Sequence, residues 1–205
     1  MKALLIIAQH GFRDEEYFET KEVLEKAGIE VRTVSQSMKE CTGKLGGKVM
    51  PDLSFSETSV IDYDIVVVIG GPGALALEKI PEFNNIIKSA FDNEQHIAAI
   101  CIAPMLLAKA GLLEGKKATV FPAPEAIKAF KDFNVHYVKH GKDGVVVDYI
   151  GDTAHSAAKD NCIAHSAAKY DGADSKCTSA KIITGNGPEA AKAFGRKIVE
   201  VLKGK

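Results

Sequence analysis

The sequence predicts an α/β domain built on a doubly wound, mostly parallel sheet with helices on both faces. Short, wholly apolar runs of strand length alternate along the chain with segments of helical spacing. The clearest of these runs, Ile65 to Ile69, is β-branched throughout and stops at Gly70-Gly71-Pro72-Gly73, the pattern of a strand buried on both faces. A length of 205 residues fits one domain at about 150 residues per domain.

Taken in order, Lys2 to Ala8 is a buried strand, Asp14 to Ala27 a helix and Glu30 to Val34 a second strand, which together make a βαβ opening. Cys41 to Ser59, rich in Gly, Lys, Ser and Thr, reads as a hairpin or loop excursion. After the Ile65 to Ile69 strand, Pro81 opens a helix to about Gln95. Ile97 to Ile100 is a short buried strand, and Ile102 to Ala110 a helix that Gly111 stops. The remainder predicts a strand at Ala118 to Phe121, a helix at Pro124 to Phe133, strands at Val145 to Val147 and Lys181 to Thr184, and a last helix from Pro188 to Leu202. One stretch breaks the alternation. Residues 149–180 lack apolar periodicity and carry Ala154-His155-Ser156-Ala157-Ala158-Lys159 again as Ala164-His165-Ser166-Ala167-Ala168-Lys169. Two short copies do not make a solenoid, so the expectation is one domain over residues 1–205 with an insertion at about 149–180.

Lys+Arg 26 against Asp+Glu 27 gives a net charge of -1, so no positive field favours nucleic acid or an anionic membrane. No apolar run approaches the roughly 20 residues of a membrane helix. The N-terminal run is too short for a signal peptide and is followed by Gln9, His10 and Gly11 rather than by small residues, so a cytoplasmic protein is expected. Four cysteines in a chain of this size read as free thiols rather than as a disulfide framework.

In a doubly wound sheet, ligands bind beyond the carboxyl ends of the strands. Three such ends carry chemistry. Ala98-Ala99-Ile100-Cys101-Ile102-Ala103-Pro104 sets a cysteine between strand and helix with small neighbours, the pattern of a nucleophile elbow. A thiol at a helix N-terminus is expected to be acidified by the helix dipole and nearby N–H groups, although the same placement suits a small buried hydrophobe. Gly70 and Gly71 let the backbone approach a ligand and turn N–H groups inward. The donors of an oxyanion hole would then come from Gly70, Gly71 or Ile102, since Pro72 has none. A plain tight turn is the competing reading, and the spacing lacks the G-x-G-x-x-G of a dinucleotide site, so no cofactor is expected. In Asp14-Glu15-Glu16, helical geometry places Glu16 with Thr20, Val23 and Ala27 on the inward face. There its pKa is expected to rise and the carboxyl to donate a hydrogen bond to a thiolate. Of six histidines, His10 lies on the active edge and is the best candidate base, against the plainer reading of a solvated loop histidine.

Ala-Ile-Cys-x-x-Pro at the elbow, Gly-Gly after the β-branched strand, Phe-x-Asp-x-Glu at Phe12 to Glu16, and Ile182-Ile183-Thr184-Gly185-Asn186-Gly187-Pro188 before the last helix together resemble the DJ-1/PfpI superfamily, over about residues 1–148 and 181–205. The resemblance implies a flavodoxin-like sandwich, a reactive cysteine at Cys101, a carboxylic acid partner at Glu16 and a homodimer. It also implies a role in oxidative or carbonyl stress, by attack on α-oxoaldehydes or by peroxide oxidation of Cys101 to a sulfinate. Two departures stand out. PfpI-like peptidases carry a histidine directly after the cysteine, where this chain has Ile102, and the DJ-1 branch carries one where Phe121 precedes Pro122. The absence of these histidines counts against peptidase activity and against the usual glyoxalase or deglycase chemistry of the DJ-1 branch, and it favours the redox-responsive role over the enzymatic one. Cys162-x-x-His165 with His155 and Cys177 has ligand-like residues but not the paired spacing of a zinc site, so no metal is expected.

Overall fold

The computed structural model describes residues 1–141, 144–150 and 180–204. The strands are β1 (Lys2–Ile6), β2 (His10–Phe12), β3 (Glu30–Ser35), β4 (Cys41–Gly43), β5 (Lys48–Val49), β6 (Leu53–Ser54), β7 (Ile65–Val68), β8 (His96–Ile100), β9 (Lys117–Ala118), β10 (His136–Tyr137), β11 (Val145–Tyr149) and β12 (Lys181–Gly185). The helices are α1 (Asp14–Lys26), α2 (Pro81–Asp92), α3 (Ala103–Lys109), α4 (Pro124–Asp132) and α5 (Ala191–Leu202), with 3-10 turns that include Pro72–Lys79 and Pro188–Ala190.

Seven strands form the main sheet in the order β11-β12-β8-β7-β1-β3-β6. Every pairing is parallel except that of β11 with β12, where Tyr149 lies opposite Lys181. Among the strands joined by helical crossovers, β3-β1-β7-β8-β12 is the 2-1-3-4-5 order of flavodoxin-like folds. The order reverses between β1 and β7, and the crevice beyond their carboxyl ends is where such a fold binds its ligand. Ala3 to Ile7 and Ile65 to Ile69 are wholly buried, as expected of strands covered on both faces. Gly195 of α5 lies against Val23 and Thr20, allowing α1 and α5 to pack closely on one face.

Two predicted elements differ, and β2 appears where none was predicted. The expected strand at Ala118 to Phe121 is reduced to β9, which pairs only with β10. Beyond it, Thr119 N–H donates to the Thr184 hydroxyl at 2.9 Å, Phe121 N–H to the Cys101 carbonyl at 2.7 Å, and Pro122 has no donor, so no ladder continues. The Cys41 to Ser59 excursion contains the β4–β5 hairpin, yet its end, β6, joins the main sheet beside β3. β2, too short to show periodicity, pairs with β4. No helix among the described residues is long and apolar enough to cross a membrane. The repeated segments, with His155, Cys162, His165 and Cys177, lie outside the described residues.

Candidate functional site

β8 delivers Cys101 to a turn in which its φ is +63°, a left-handed conformation that a side chain normally avoids. Two backbone bonds hold it there. Cys101 N–H donates to the Gly185 carbonyl at 2.9 Å, and its own carbonyl accepts from Phe121 N–H. α3 starts two residues on, with Pro104 in its first turn where no intrahelical donor is needed. The residue is 8% exposed.

Glu16 lies in the first turn of α1 and is wholly buried. Its Oε2 accepts a hydrogen bond from Gly70 N–H at 3.0 Å. Oε1 has no hydrogen-bond partner among the described residues. Burial raises the carboxyl pKa to about 7, against lowering by the Cys101 thiol, Gly70 N–H and Arg13. Arg13 is itself clamped by Glu15, with Nε 2.9 Å from one carboxylate oxygen.

Gly70 makes the meeting possible. A Cβ there would stand 2.7 Å from Cys101 Cβ, 2.7 Å from the Ile100 carbonyl and 2.8 Å from Glu16 Oε2. At Gly71 the reason is both conformation and space: φ is +101° and a Cβ would fall 2.5 Å from Arg13 N. The structure thus brings Cys101, Glu16, Gly70, Gly71 and Ile102 together at the switch point.

Two expectations change. Gly70 N–H is committed to Glu16, which leaves the N–H groups of Gly71 and Ile102 to act on the sulfur. The thiol pKa, expected to fall, is pushed up: burial acts first, then the charge of Glu16, and these outweigh the two N–H groups. α3 has only seven residues, and a short helix beside a carboxylate cannot dominate. The two acids titrate as a unit. With the thiol raised and the carboxyl near 7, Glu16 loses its proton first and the Cys101 thiol faces a carboxylate that can accept from it.

His10 lies at the predicted edge but is exposed, and its ring makes no hydrogen bond or ion pair among the described residues. Its carbonyl occupies the place a Cβ on Gly73 would take. Asp14 is buried and accepts the N–H groups of Leu45 and Gly47 at 2.7 Å each, tying the β4–β5 turn to α1. Asn186 also escaped notice, although it stands in the Gly185-Asn186-Gly187 string already singled out. It lines a cavity of about 340 Å³ with Phe121, Pro122, His140 and Pro188. Among the described residues, no group of three His, Cys, Asp or Glu side chains is placed to hold a metal ion.

The DJ-1/PfpI family pattern matches residues 1–201. An uncharacterized protein of Methanocaldococcus jannaschii is 40% identical over 148 residues, 72% of this chain and 71% of that one. A glutathione-independent glyoxalase of Caenorhabditis elegans is 23% identical over 98% of this chain and 89% of its own length. The solved ThiJ/PfpI domain protein of Brachyspira murdochii superposes with a TM-score of 0.79 at 27% identity, covering 100% of this chain and 97% of that one. With the flavodoxin-like order, the elbow and the family pattern extending nearly end to end, this chain belongs to the DJ-1/PfpI family.

Proposed function

We propose that the chain is a cysteine-dependent enzyme of carbonyl-stress protection that converts α-oxoaldehydes to 2-hydroxy acids. The observation that carries this reading is the strained Cys101 facing a buried carboxyl whose pKa is about 7. Glu16 can therefore give and take a proton near neutrality. The glyoxalase among the relatives supports the choice of substrate class.

The reaction starts as the Glu16 carboxylate takes the proton of the Cys101 thiol. The Cys101 thiolate adds to the aldehyde carbon, and the carbonyl electron pair moves to oxygen, beside the Gly71 and Ile102 N–H groups. Glu16 supplies the proton that completes the hemithioacetal. As a carboxylate it next removes the proton of the former aldehyde carbon to give an enediolate and returns it to the adjacent carbon, while the hemithioacetal hydroxyl proton passes to the former ketone oxygen, leaving a 2-hydroxy thioester. Water cleaves the thioester and restores the thiol. The sum is one α-oxoaldehyde plus one water giving one 2-hydroxy acid, with no outside oxidant.

Turnover of methylglyoxal by wild type and Cys101→Ser protein tests the reading. Lactate formed by wild type alone is the expected result, and equal rates in the two proteins overturn it. Casein should remain uncut, because Ile102 cannot protonate a leaving amine.

A second reading is favoured by the unpartnered Glu16 Oε1, which is free to serve a sulfinate oxygen. Here the chain acts without turnover, as a redox sensor or protective protein in which peroxide oxidises Cys101. Peptide mapping after mild peroxide should find sulfinate at Cys101 before Cys41, Cys162 or Cys177. Earlier oxidation of another cysteine excludes this reading.

A further inference from the structure

β8 carries titratable groups at both ends. Cys101 follows its carboxyl end, and His96 opens it at the opposite pole of the sheet, about 16 Å away at a strand rise of about 3.3 Å per residue. There a side chain starts the ladder. Register pairs Ile182 of β12 with Ile97, and one residue earlier the Lys181 N–H donates to His96 Nδ1 at 3.0 Å. The ring takes the place of a backbone carbonyl. Nδ1 can accept only while it carries no proton, which puts the hydrogen of the neutral imidazole on Nε2.

That bond sits at a junction. Lys181 lies opposite Tyr149 of β11, and its ammonium stands over the Tyr149 ring at 5.6 Å. Ala180, the residue before it, accepts the Ile150 N–H at 3.0 Å, and the Ile150 carbonyl in turn accepts from Lys116 Nζ at 3.1 Å. The root of β12 is thus tied to β8 on one side and to the end of β11 on the other.

Protonation of the ring reverses the contact. Nδ1–H would then face the Lys181 N–H, donor against donor, and a second positive charge would join the Lys181 ammonium. The charged groups that act on the ring among the described residues are Lys181 of β12, which opposes protonation, and Asp64 ahead of β7, which favours it. Asp64 is already engaged by the Lys2 N–H at 2.6 Å. The helices packed on β8, α2, α3 and α5, bury only uncharged residues. Burial opposes the charged ring most strongly, with Lys181 next, so the pKa lies below the ordinary 6.5. A depressed pKa means that the folded state binds the proton less readily than the unfolded chain. The bond's contribution is therefore whole above about pH 6.5 and is lost as pH falls through the lowered value.

We propose that His96 is an acid-released latch on β12: taking up a proton, it lets go of the Lys181 N–H and frays the root of the strand together with the Ile150–Ala180 pair. The ladder from Ile182 to Gly185 stays closed, and with it the Gly185 carbonyl that holds Cys101 N–H. Acid thereby loosens the point where the chain re-enters the sheet after β11, and the elbow at the other pole keeps its geometry.

Amide hydrogen exchange followed by NMR, each rate divided by that of an unstructured chain at the same pH, reads the bond directly. Wild type should lose protection at Lys181 at least threefold between pH 7.5 and pH 5, in step with the titration of the His96 ring, while Ile183 keeps its protection. Global loosening cannot imitate this, because the raised pKa of Glu16 steadies the whole protein in acid. His96→Asn keeps an acceptor near the place of Nδ1 and cannot ionise, so its Lys181 protection should stay constant. Lys181→Met removes the ammonium and keeps the N–H, so the loss should set in at higher pH. Constant protection at Lys181 through the His96 titration overturns the proposal, as does an equal loss in the His96 variant. Where that variant does not fold, a loss in Lys181→Met with an unmoved midpoint overturns it instead.

Discussion

Gly70 and Glu16, 54 residues apart in sequence, are joined by a 3.0 Å hydrogen bond from the Gly70 N–H to the buried carboxyl. Gly70 contributes twice. Its N–H orients Glu16, and its missing side chain leaves the space that Cys101 Cβ and Glu16 Oε2 approach. The carboxyl therefore reaches the sulfur because of a residue on a third element.

Gly70→Ala should damage the site and the fold together. The added methyl meets the Ile100 carbonyl, which cannot rotate aside, so a loss of about 2 kcal/mol is expected in urea unfolding. Iodoacetamide labelling of Cys101 should slow at least tenfold in the fraction that remains folded. Unchanged stability and labelling would show that the turn accommodates a side chain.

Glu16 should make the protein less stable as pH rises. Its folded pKa of about 7 lies above the ordinary 4.5, so the native state binds the proton more tightly than the unfolded chain does. The resulting stability is complete below about pH 4.5 and is lost as pH passes through about 7, an effect of roughly 3 kcal/mol at most. Denaturant unfolding at pH 5 and pH 8 should show the decline in wild type and a weaker one in Glu16→Gln, which cannot ionise.

Backbone strain at Cys101 gives a third expectation. At a φ of +63° any side chain costs about 1–2 kcal/mol relative to glycine. Cys101→Gly should accordingly unfold at higher urea than Cys101→Ala, although both lack the thiol. The reverse order would mean that the elbow relaxes once the sulfur is removed.

Shortening the chain between β11 and β12 tests whether the two strands form a self-sufficient hairpin. Ile150 N–H donates to Ala180 O at 3.0 Å, so the ends are already at pairing distance. Replacing residues 151–179 by Asn-Gly should preserve folding and shift stability by only about 1 kcal/mol, because loop-closure entropy varies slowly with length. Collapse of the thermal transition would place that segment among the determinants of the fold.

The alternation of buried runs and helical segments was enough to read the parallel core, because strands covered on both faces need uninterrupted apolar residues. Glu16 was legible for a similar reason: helical spacing puts it on the face shared with Thr20 and Val23. Donor use was not legible. Whether Gly70 N–H serves an oxyanion or a carboxylate depends on where α1 crosses β7, a long-range relationship without a local signal. The burial of Asp14 depends likewise on the β4–β5 turn reaching back to it. Phe121 ended a run that looks like a strand, and only the Cys101 carbonyl, 20 residues away, explains where its N–H goes.

The two clamps on the elbow use only the main-chain groups of Cys101, Gly185 and Phe121. Every residue but proline supplies the same N–H and carbonyl, so the nucleophile's position is insensitive to most side-chain drift around it. A different side chain at Phe121 would leave in place the N–H that holds the Cys101 carbonyl. Selection is then free to exchange the auxiliary groups while the attacking atom stays in place, and one scaffold can acquire or abandon reactions by substitutions at its rim.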